Sequence, residues 1–153
     1  LKFIPFEFHK KHLKGRIKKR DIIIVKDGAT TGKVAIVPVN YPFDEANINE
    51  HVFLLRTKEG VNPYYVFSIL KSLIGQIQIN REITGGTIMG IIRETIETLK
   101  IPLPSILIQN KITEEVKRRM ERAKRLQEEA KQVLEETKVK VERIILGKEE
   151  IRK

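Results

Sequence analysis

The alternation of apolar and polar residues divides the chain into two unlike parts. Residues 1 to about 104 carry short apolar runs separated by polar and glycine-rich stretches. From about 105 to 146 a single helical period is sustained. In the first part, residues 3–8 alternate weakly and predict a strand. Residues 21–25 (DIIIV) and 34–37 (VAIV) are continuous apolar runs of strand length, so each predicts a buried strand. A third strand is expected to begin near Asn47. In it Ile48, Val52 and Leu54 share one face, and Asn49, Phe53 and Leu55 share the other. Asn62 is a good N-cap and Pro63 suits a first helical position, so a helix follows. Val66, Leu70, Leu73 and Ile74 would form its single apolar stripe. Residues 81–90 (REITGGTIMG) read as a glycine-rich loop, 91–99 as a short helical turn, and 100–104 (KIPLP) as an extended exit, because each proline biases its predecessor away from helix.

In the second part Ser105 can cap a helix. Ile112, Val116, Met120, Ala123, Leu126, Ala130, Val133, Leu134, Val141, Ile144 and Ile145 recur every three or four residues, with Lys, Arg and Glu between them. Gly147 is a natural terminator. Such a helix would be about 60 Å long at ~1.5 Å per residue. A small domain at one end cannot cover its apolar stripe, so it needs a partner helix. The spacing stays near seven residues and drifts after Leu134. The fold class is therefore α+β: a β-rich domain over 1–104, then one long pairing helix over 105–153.

The stretch 26–37 (KDGATTGKVAIV) resembles a phosphate-binding loop at first sight. Its spacing is wrong. A P-loop places four residues between its glycines and a hydroxyl after its lysine. Here Gly28 and Gly32 enclose only Ala29, Thr30 and Thr31, and Val34 follows Lys33. A P-loop also leads from a strand into a helix, whereas this one leads into another apolar strand run. A hairpin is the better reading, with Asp27-Gly28 and Gly32 supplying positive φ and Lys33 exposed.

Composition narrows the function. The formal net charge of +10 on 153 residues suits a polyanion-binding protein. The 33 % content of charged residues also suits the ion-pair-rich surface of a thermophile, so charge alone does not decide. Without cysteine there are no disulfides, zinc thiolates or thiol catalysis. No apolar run reaches the ~18 residues of a membrane span. No signal peptide is visible, so a cytoplasmic location is expected. The chain opens at Leu1 without an initiator methionine, cap or turn, and upstream residues are expected.

Candidate chemistry is sparse. His9 and His12 could share a helix face toward a metal, but no carboxylate adjoins them in sequence and Lys10, Lys11, Lys14 and Arg16 would repel a cation. Glu50 and His51, beside Asn47 and Asn49, would point to opposite faces of a strand, which favours cross-strand hydrogen bonding over catalysis. No Ser/His/Asp or paired-carboxylate set stands out, and no cofactor is called for. The basic run Lys10, Lys11, Lys14, Arg16, Lys18, Lys19 and Arg20 is more informative. Read beside a hairpin tip bearing Lys26, Thr30, Thr31 and Lys33, and with Thr87 in the glycine-rich loop, it points to phosphate and base contacts. No aromatic stacking platform accompanies it, so duplex DNA is favoured over a single strand.

Several segments in order resemble specificity subunits of type I restriction–modification systems: RDIIIVKDGATTGKVAIV, ANINEHVFLLR, NPYYVFSILKS, TGGTIMGIIRETIETLKIPLP and IQNKITEEV. In that family a strand with GDI enters a hairpin with DGxxxGK. Here Arg20 stands in place of the glycine before Asp21-Ile22. The family's IPLP junction and Gln-x-x-Ile helix start correspond to Ile101-Pro102-Leu103-Pro104, Gln109 and Ile112. The resemblance implies a non-catalytic protein that reads double-stranded DNA. Methyltransferase subunits and ATP-dependent motor-nuclease subunits would be its partners, and its long helix would pair antiparallel with another. One recognition domain and one helix are present where the family carries two of each. A half-subunit, a C-terminal part or a degraded gene product is therefore expected, with a homodimer through the helix as the simplest assembly. The rival readings are a basic coiled-coil structural protein and a phosphate-binding enzyme.

Overall fold

The computed structural model describes residues 3–43, 45–85 and 89–149. Its architecture is α+β, and the chain divides into two units, Leu1–Thr113 and Glu114–Lys153. The first unit is built on three antiparallel strands, β1 (Ile22–Val25), β2 (Val34–Ile36) and β3 (Val52–Leu55), in the order β2-β1-β3. All three strands are wholly apolar in sequence, and the central one, flanked on both sides, is the most deeply buried. Ile22 faces Ile36 on one side and Leu55 on the other, and Ile24 faces Val34 and Phe53. Ile22 and Ile24 are fully buried. Their partners Phe53 and Leu55 pack on the same cluster, so the period-2 pattern of 52–55 resolves with its odd-numbered positions inward.

The core closes against helices. In α2 (Pro63–Lys71), the Asn62 side chain accepts from the backbone N–H of Tyr64 at 2.8 Å and of Tyr65 at 3.3 Å, with Pro63 at the first position. Tyr65, Val66 and Leu70 are buried, and the Tyr65 hydroxyl donates to the Pro102 carbonyl at 2.8 Å. The expected continuous stripe stops there. Ser72 leaves helical geometry (ψ 165°) and caps a second helix, α3 (Leu73–Arg81), by accepting from the Gly75 N–H. The change of axis turns Leu73 and Ile74 outward, at 76 % and 68 % exposure, and Ile79 takes the core place instead. A short helix α4 (Arg93–Thr98) and an extended exit complete the layer, with Ile91 buried and Ile96, Leu99 and Ile101 packed on the cluster.

The expected strand over 3–8 is instead part of a helix, α1 (Phe6–Lys11). Pro5 precedes its first turn, Glu7 lies within that turn, and His9, Lys10 and Lys11 lie in the last, which matches the helix dipole at both ends. The Phe8 and His12 rings stack at 3.7 Å, and the His12 ring nitrogen donates to the Phe8 carbonyl. These i,i+4 contacts outweigh a weak alternation. A 3₁₀ turn, Leu13–Gly15, follows. The third strand starts later than Asn47, because residues 49–51 turn, with the His51 N–H bound to the Asn49 side chain. Asn47 makes only an isolated bridge to Arg16.

The helix α5 (Ile106–Ile145) runs unbroken for 40 residues. Within the first unit its opening turns are fixed by Gln109. That side chain is buried, donates to the Pro104 carbonyl at 2.8 Å and accepts from the Asn62 N–H at 2.9 Å, while Asn110 accepts from the Asn62 side chain. In the second unit the helix is laced by exposed Lys/Arg–Glu pairs at three- and four-residue spacing. Hydrogen bonds from Arg119 and Arg118 hold the Glu115 carboxyl below its usual range. At the end Gly147 takes φ 67°, and the N–H groups of Gly147 and Lys148 return to Ile144 and Arg143, which closes the helix as the sequence predicts. Among the described residues no helix is long and apolar enough to cross a membrane.

Candidate nucleic-acid interface

The hairpin is confirmed. Residues 26–33 join β1 to β2, Gly28 and Gly32 have φ of 92° and 81°, and Lys33 is exposed. A strand follows, not a helix, so the geometry of a phosphate-binding loop is absent from this segment. Gly32 is also buried, and a Cβ there would lie 2.8 Å from Ile79. The tip is rigid because it is tied to two other segments. The Gly28 N–H donates to the Met89 carbonyl at 3.1 Å and the Ile91 N–H to the Lys26 carbonyl at 2.9 Å, while Asp27 bridges Gly90. The hairpin tip and the glycine-rich segment, legible in sequence only as separate loops, thus form one surface. Thr87 lies outside the described residues. Thr30 is exposed, whereas the Thr31 hydroxyl lies 2.7 Å from the Gly28 carbonyl and 3.0 Å from that of Met89. Thr31 therefore joins the loops, and Thr30 presents its hydroxyl outward.

His51 belongs to the same surface. Its Nδ1 is 2.6 Å from Asp27 Oδ1, the cross-strand hydrogen bond that the sequence favoured. Its Nε2 also lies 3.7 Å from Glu50 Oε1. The two neighbours approach each other, contrary to the strand expectation, because both sit in the turn before β3.

The end of the basic run, residues 18–20, does not lie beside this tip. Residues 18–20 lie where β1 begins and residues 26–33 where it ends. The distance from Asp21 to Lys26 is about 17 Å of extended chain at ~3.4 Å per residue. Lys11 and Lys14 instead line an apolar groove on the outer face of the sheet, with Ile23, Ile48 and Val52. Lys10 pairs with Glu7 at 3.2 Å and lies over the Phe6 ring. The half-buried Arg16 guanidinium donates to the His9 and Lys10 carbonyls, closing the end of α1. His9 is buried against the Asn47 side-chain oxygen, and Glu45 lies 3.8 Å from its Nε2, a carboxylate distant in sequence. Asn47 also donates to the His12 carbonyl. Among the described residues no three His, Asp or Glu side chains converge as a metal site would require.

Asp21 and Arg56 hold the first end of the strand. Asp21 is 2 % exposed. Its Oδ1 accepts from Arg56 Nε at 2.7 Å, and its Oδ2 accepts from Arg56 Nη2 at 2.6 Å and from the Lys18 N–H at 2.7 Å. These hydrogen bonds raise the Arg56 pKa above its ordinary value; burial opposes the rise and the charge of Asp21 adds to it. Such two-pronged geometry satisfies a buried carboxylate almost completely. Sequence reading passed over Arg56. The available signal was an aspartate at the head of a fully apolar central strand, which demands a cation nearby.

A family described as the type I restriction modification DNA specificity domain matches residues 7–136. The chain belongs to that family, whose role is DNA recognition in type I restriction–modification systems. None of the curated proteins compared with the chain matches it.

Replacing Arg56 with alanine would leave the Asp21 carboxylate buried without its cation. Half of the Arg56 side chain is exposed, so the expected loss of stability is about 2–4 kcal/mol, below the full value for a wholly buried pair. Urea denaturation measures it, and a loss under about 0.5 kcal/mol would mean that the pair does not anchor the strand.

Proposed function

We propose that this chain reads duplex DNA as the specificity component, or half of one, of a type I restriction–modification assembly. Methylation and cleavage then belong to partner subunits, a methyltransferase and an ATP-dependent motor-nuclease, and this chain contributes no catalysis and needs no cofactor. The observation that carries the reading is the tied tip of 26–33 and 89–91 in a chain of this family. Polar side chains on loops that a sheet holds still can reach base edges in a groove at fixed positions. In this reading Thr30 and Thr87 face bases, with Thr31 and Lys33 beside them. Lys10, Lys11, Lys14, Lys18, Lys19, Arg20 and Lys26 serve phosphates, and Arg16 positions the basic segment. The recognition domain spans 1–104 and the helix that follows is an assembly element.

The helix supports assembly through a heptad that outlasts the apparent drift. Met120, Gln127, Leu134 and Val141 alternate at spacings of three and four with Val116, Ala123, Ala130, Thr137 and Ile144. The Thr137 hydroxyl donates to the Val133 carbonyl, which leaves its methyl for the seam. Met120, Leu126, Val133, Leu134 and Val141 are all exposed, and so are Ile112, Ala123 and Ala130. Leu126 and Val133 flank the seam on one side; Lys117, Lys124, Lys131 and Lys138 flank it on the other. Antiparallel self-pairing brings the two apolar flanks together and also the two lysine flanks. A two-fold homodimer presents two identical reading surfaces in inverted orientation.

Binding of a mixed-sequence duplex is the first test. Log affinity is expected to fall linearly with log salt, by about 0.9 per phosphate neutralised. A flat response would contradict DNA binding through this basic surface. Pairing should respond the other way, because salt screens the facing lysines. Solution mass is expected to show a dimer that tightens as salt rises, and Leu126→Glu with Val133→Glu is expected to give a folded monomer. A wild type that stays monomeric at high micromolar concentration would remove self-pairing.

A further inference from the structure

An open cleft of about 310 Å³ lies at the head of β1, lined by residues 18–21, 56–61 and Pro63. Two turns of like construction form its walls. In one, the Asp21 N–H donates to the Lys18 carbonyl at 3.0 Å; in the other, the Val61 N–H donates to the Lys58 carbonyl at 3.2 Å. The third residue of each turn is left-handed: Gly60 at φ 79° and Arg20 at φ 75°. Glycine adopts that conformation without steric penalty, and a residue bearing a Cβ does not. Arg20 is the one non-glycine residue with positive φ among the described residues. Its backbone N–H is fixed to the Val37 carbonyl, and its side chain is exposed and makes no hydrogen bond or ion pair within the described residues. The turn itself is held by these backbone contacts, but arginine in place of glycine gains no contact inside the described residues that offsets its strain. Strain of this kind persists where the residue serves a ligand.

The charges around Arg20 indicate which ligand. Arg56 is neutralised by Asp21 beneath the cleft. Lys18, Lys19, Arg20 and Lys58 remain around it, all exposed, against the single carboxylate Glu59. The Asp21–Arg56 contact fixes the 18–21 wall before anything binds, because Asp21 also holds the Lys18 N–H. Three cations on a preformed wall, with Lys58 on the facing turn, suit a tetrahedral phosphodiester, and the arginine fork can take two of its oxygens.

We infer that the cleft between the 18–21 and 58–61 turns grips a backbone phosphate of duplex DNA, with Arg20 and Lys58 as its principal contacts. This rests on the DNA-recognition reading, and it adds Lys58 and the loop after β3 to the contact surface. It also makes Arg20 a residue kept at a cost to stability. Phosphate contacts of this kind set register and orientation on the duplex without reading sequence.

The test combines melting with titration of a labelled mixed-sequence duplex at several salt concentrations. Arg20→Gly is expected to melt a few degrees higher than wild type and to bind several-fold more weakly, with a salt slope smaller by about 0.9. Arg20→Lys keeps charge and strain but loses the two-pronged fork, so it should melt near wild type and bind more weakly than wild type but more tightly than Arg20→Gly. Lys58→Gln should also lower the slope, by no more than in Arg20→Gly because both side chains share one phosphate, without raising the melting temperature. Lys100→Gln, which removes a charge that does not line the cleft, should change neither. Wild-type binding with an unaltered slope in Arg20→Gly and Lys58→Gln would overturn the cleft while leaving DNA recognition standing. A wild type that binds no duplex would overturn the functional reading itself, and this inference with it. An Arg20→Gly protein that melts no higher would overturn the exchange of stability for binding. Inorganic phosphate, matched in ionic strength with chloride, should leave wild-type melting unchanged. A rise that Arg20→Gly abolishes would assign the cleft to free phosphate instead.

Discussion

One ion pair, with its carboxylate buried and its cation half exposed, governs how this small sheet meets its surroundings. Asp21 heads the central strand, where both sides are already taken by β2 and β3, and burial makes an unpaired carboxylate there prohibitive. Arg56, one residue past β3, answers it with two hydrogen bonds and also reaches the Arg16 carbonyl. The strand order and the placement of the basic segment are therefore coupled. β3 must lie beside β1 for Arg56 to arrive, and the residues just before β1 must turn at 18–21 for the Lys18 N–H to arrive. Everything basic at that end is carried on this fixed point.

The opposite end of the strand is held mainly by backbone hydrogen bonds. Backbone hydrogen bonds from Gly28 to Met89 and from Ile91 to Lys26 join the hairpin tip to the glycine-rich segment, and Gly32 fits against Ile79 at a distance no larger residue could keep. The two ends suit different tasks. The cationic end can hold a polyanion anywhere along its length. In the proposed reading the hairpin end, where both signs of charge are present and the loops are tied together, would be the place for discrimination. Their separation along β1 means that a duplex touching both must lie along the strand direction or cross the sheet face between them.

Much of this was legible in the residues, and the parts that were not share a cause. The two apolar runs and the glycines between them specify the hairpin. Asn62-Pro63 specifies the start of α2, and the long period to Gly147 specifies α5, because each is a local signal with a local mechanism. The misreadings concern segments decided by contacts distant in sequence or by one competing residue. Residues 6–11 are helical through stacking and dipole contacts that a faint alternation conceals. Ser72 ends one helix and caps the next, which no count of apolar spacing reveals. Residues 18–20 looked contiguous with the hairpin tip because the two are close in sequence, yet a four-residue strand separates them in space. The departure from glycine at position 20 was visible from the family resemblance, but its meaning required the φ angle.

The central claim is that a rigid pair of loops reads base sequence in duplex DNA, and enrichment from a random duplex pool tests it most directly. Repeated binding and recovery at moderate salt should converge on a short defined motif, present in two inverted copies if the helix pairs with itself. A pool that is bound with ordinary affinity but converges on no motif would contradict sequence reading by this chain and leave it a nonspecific duplex-binding protein.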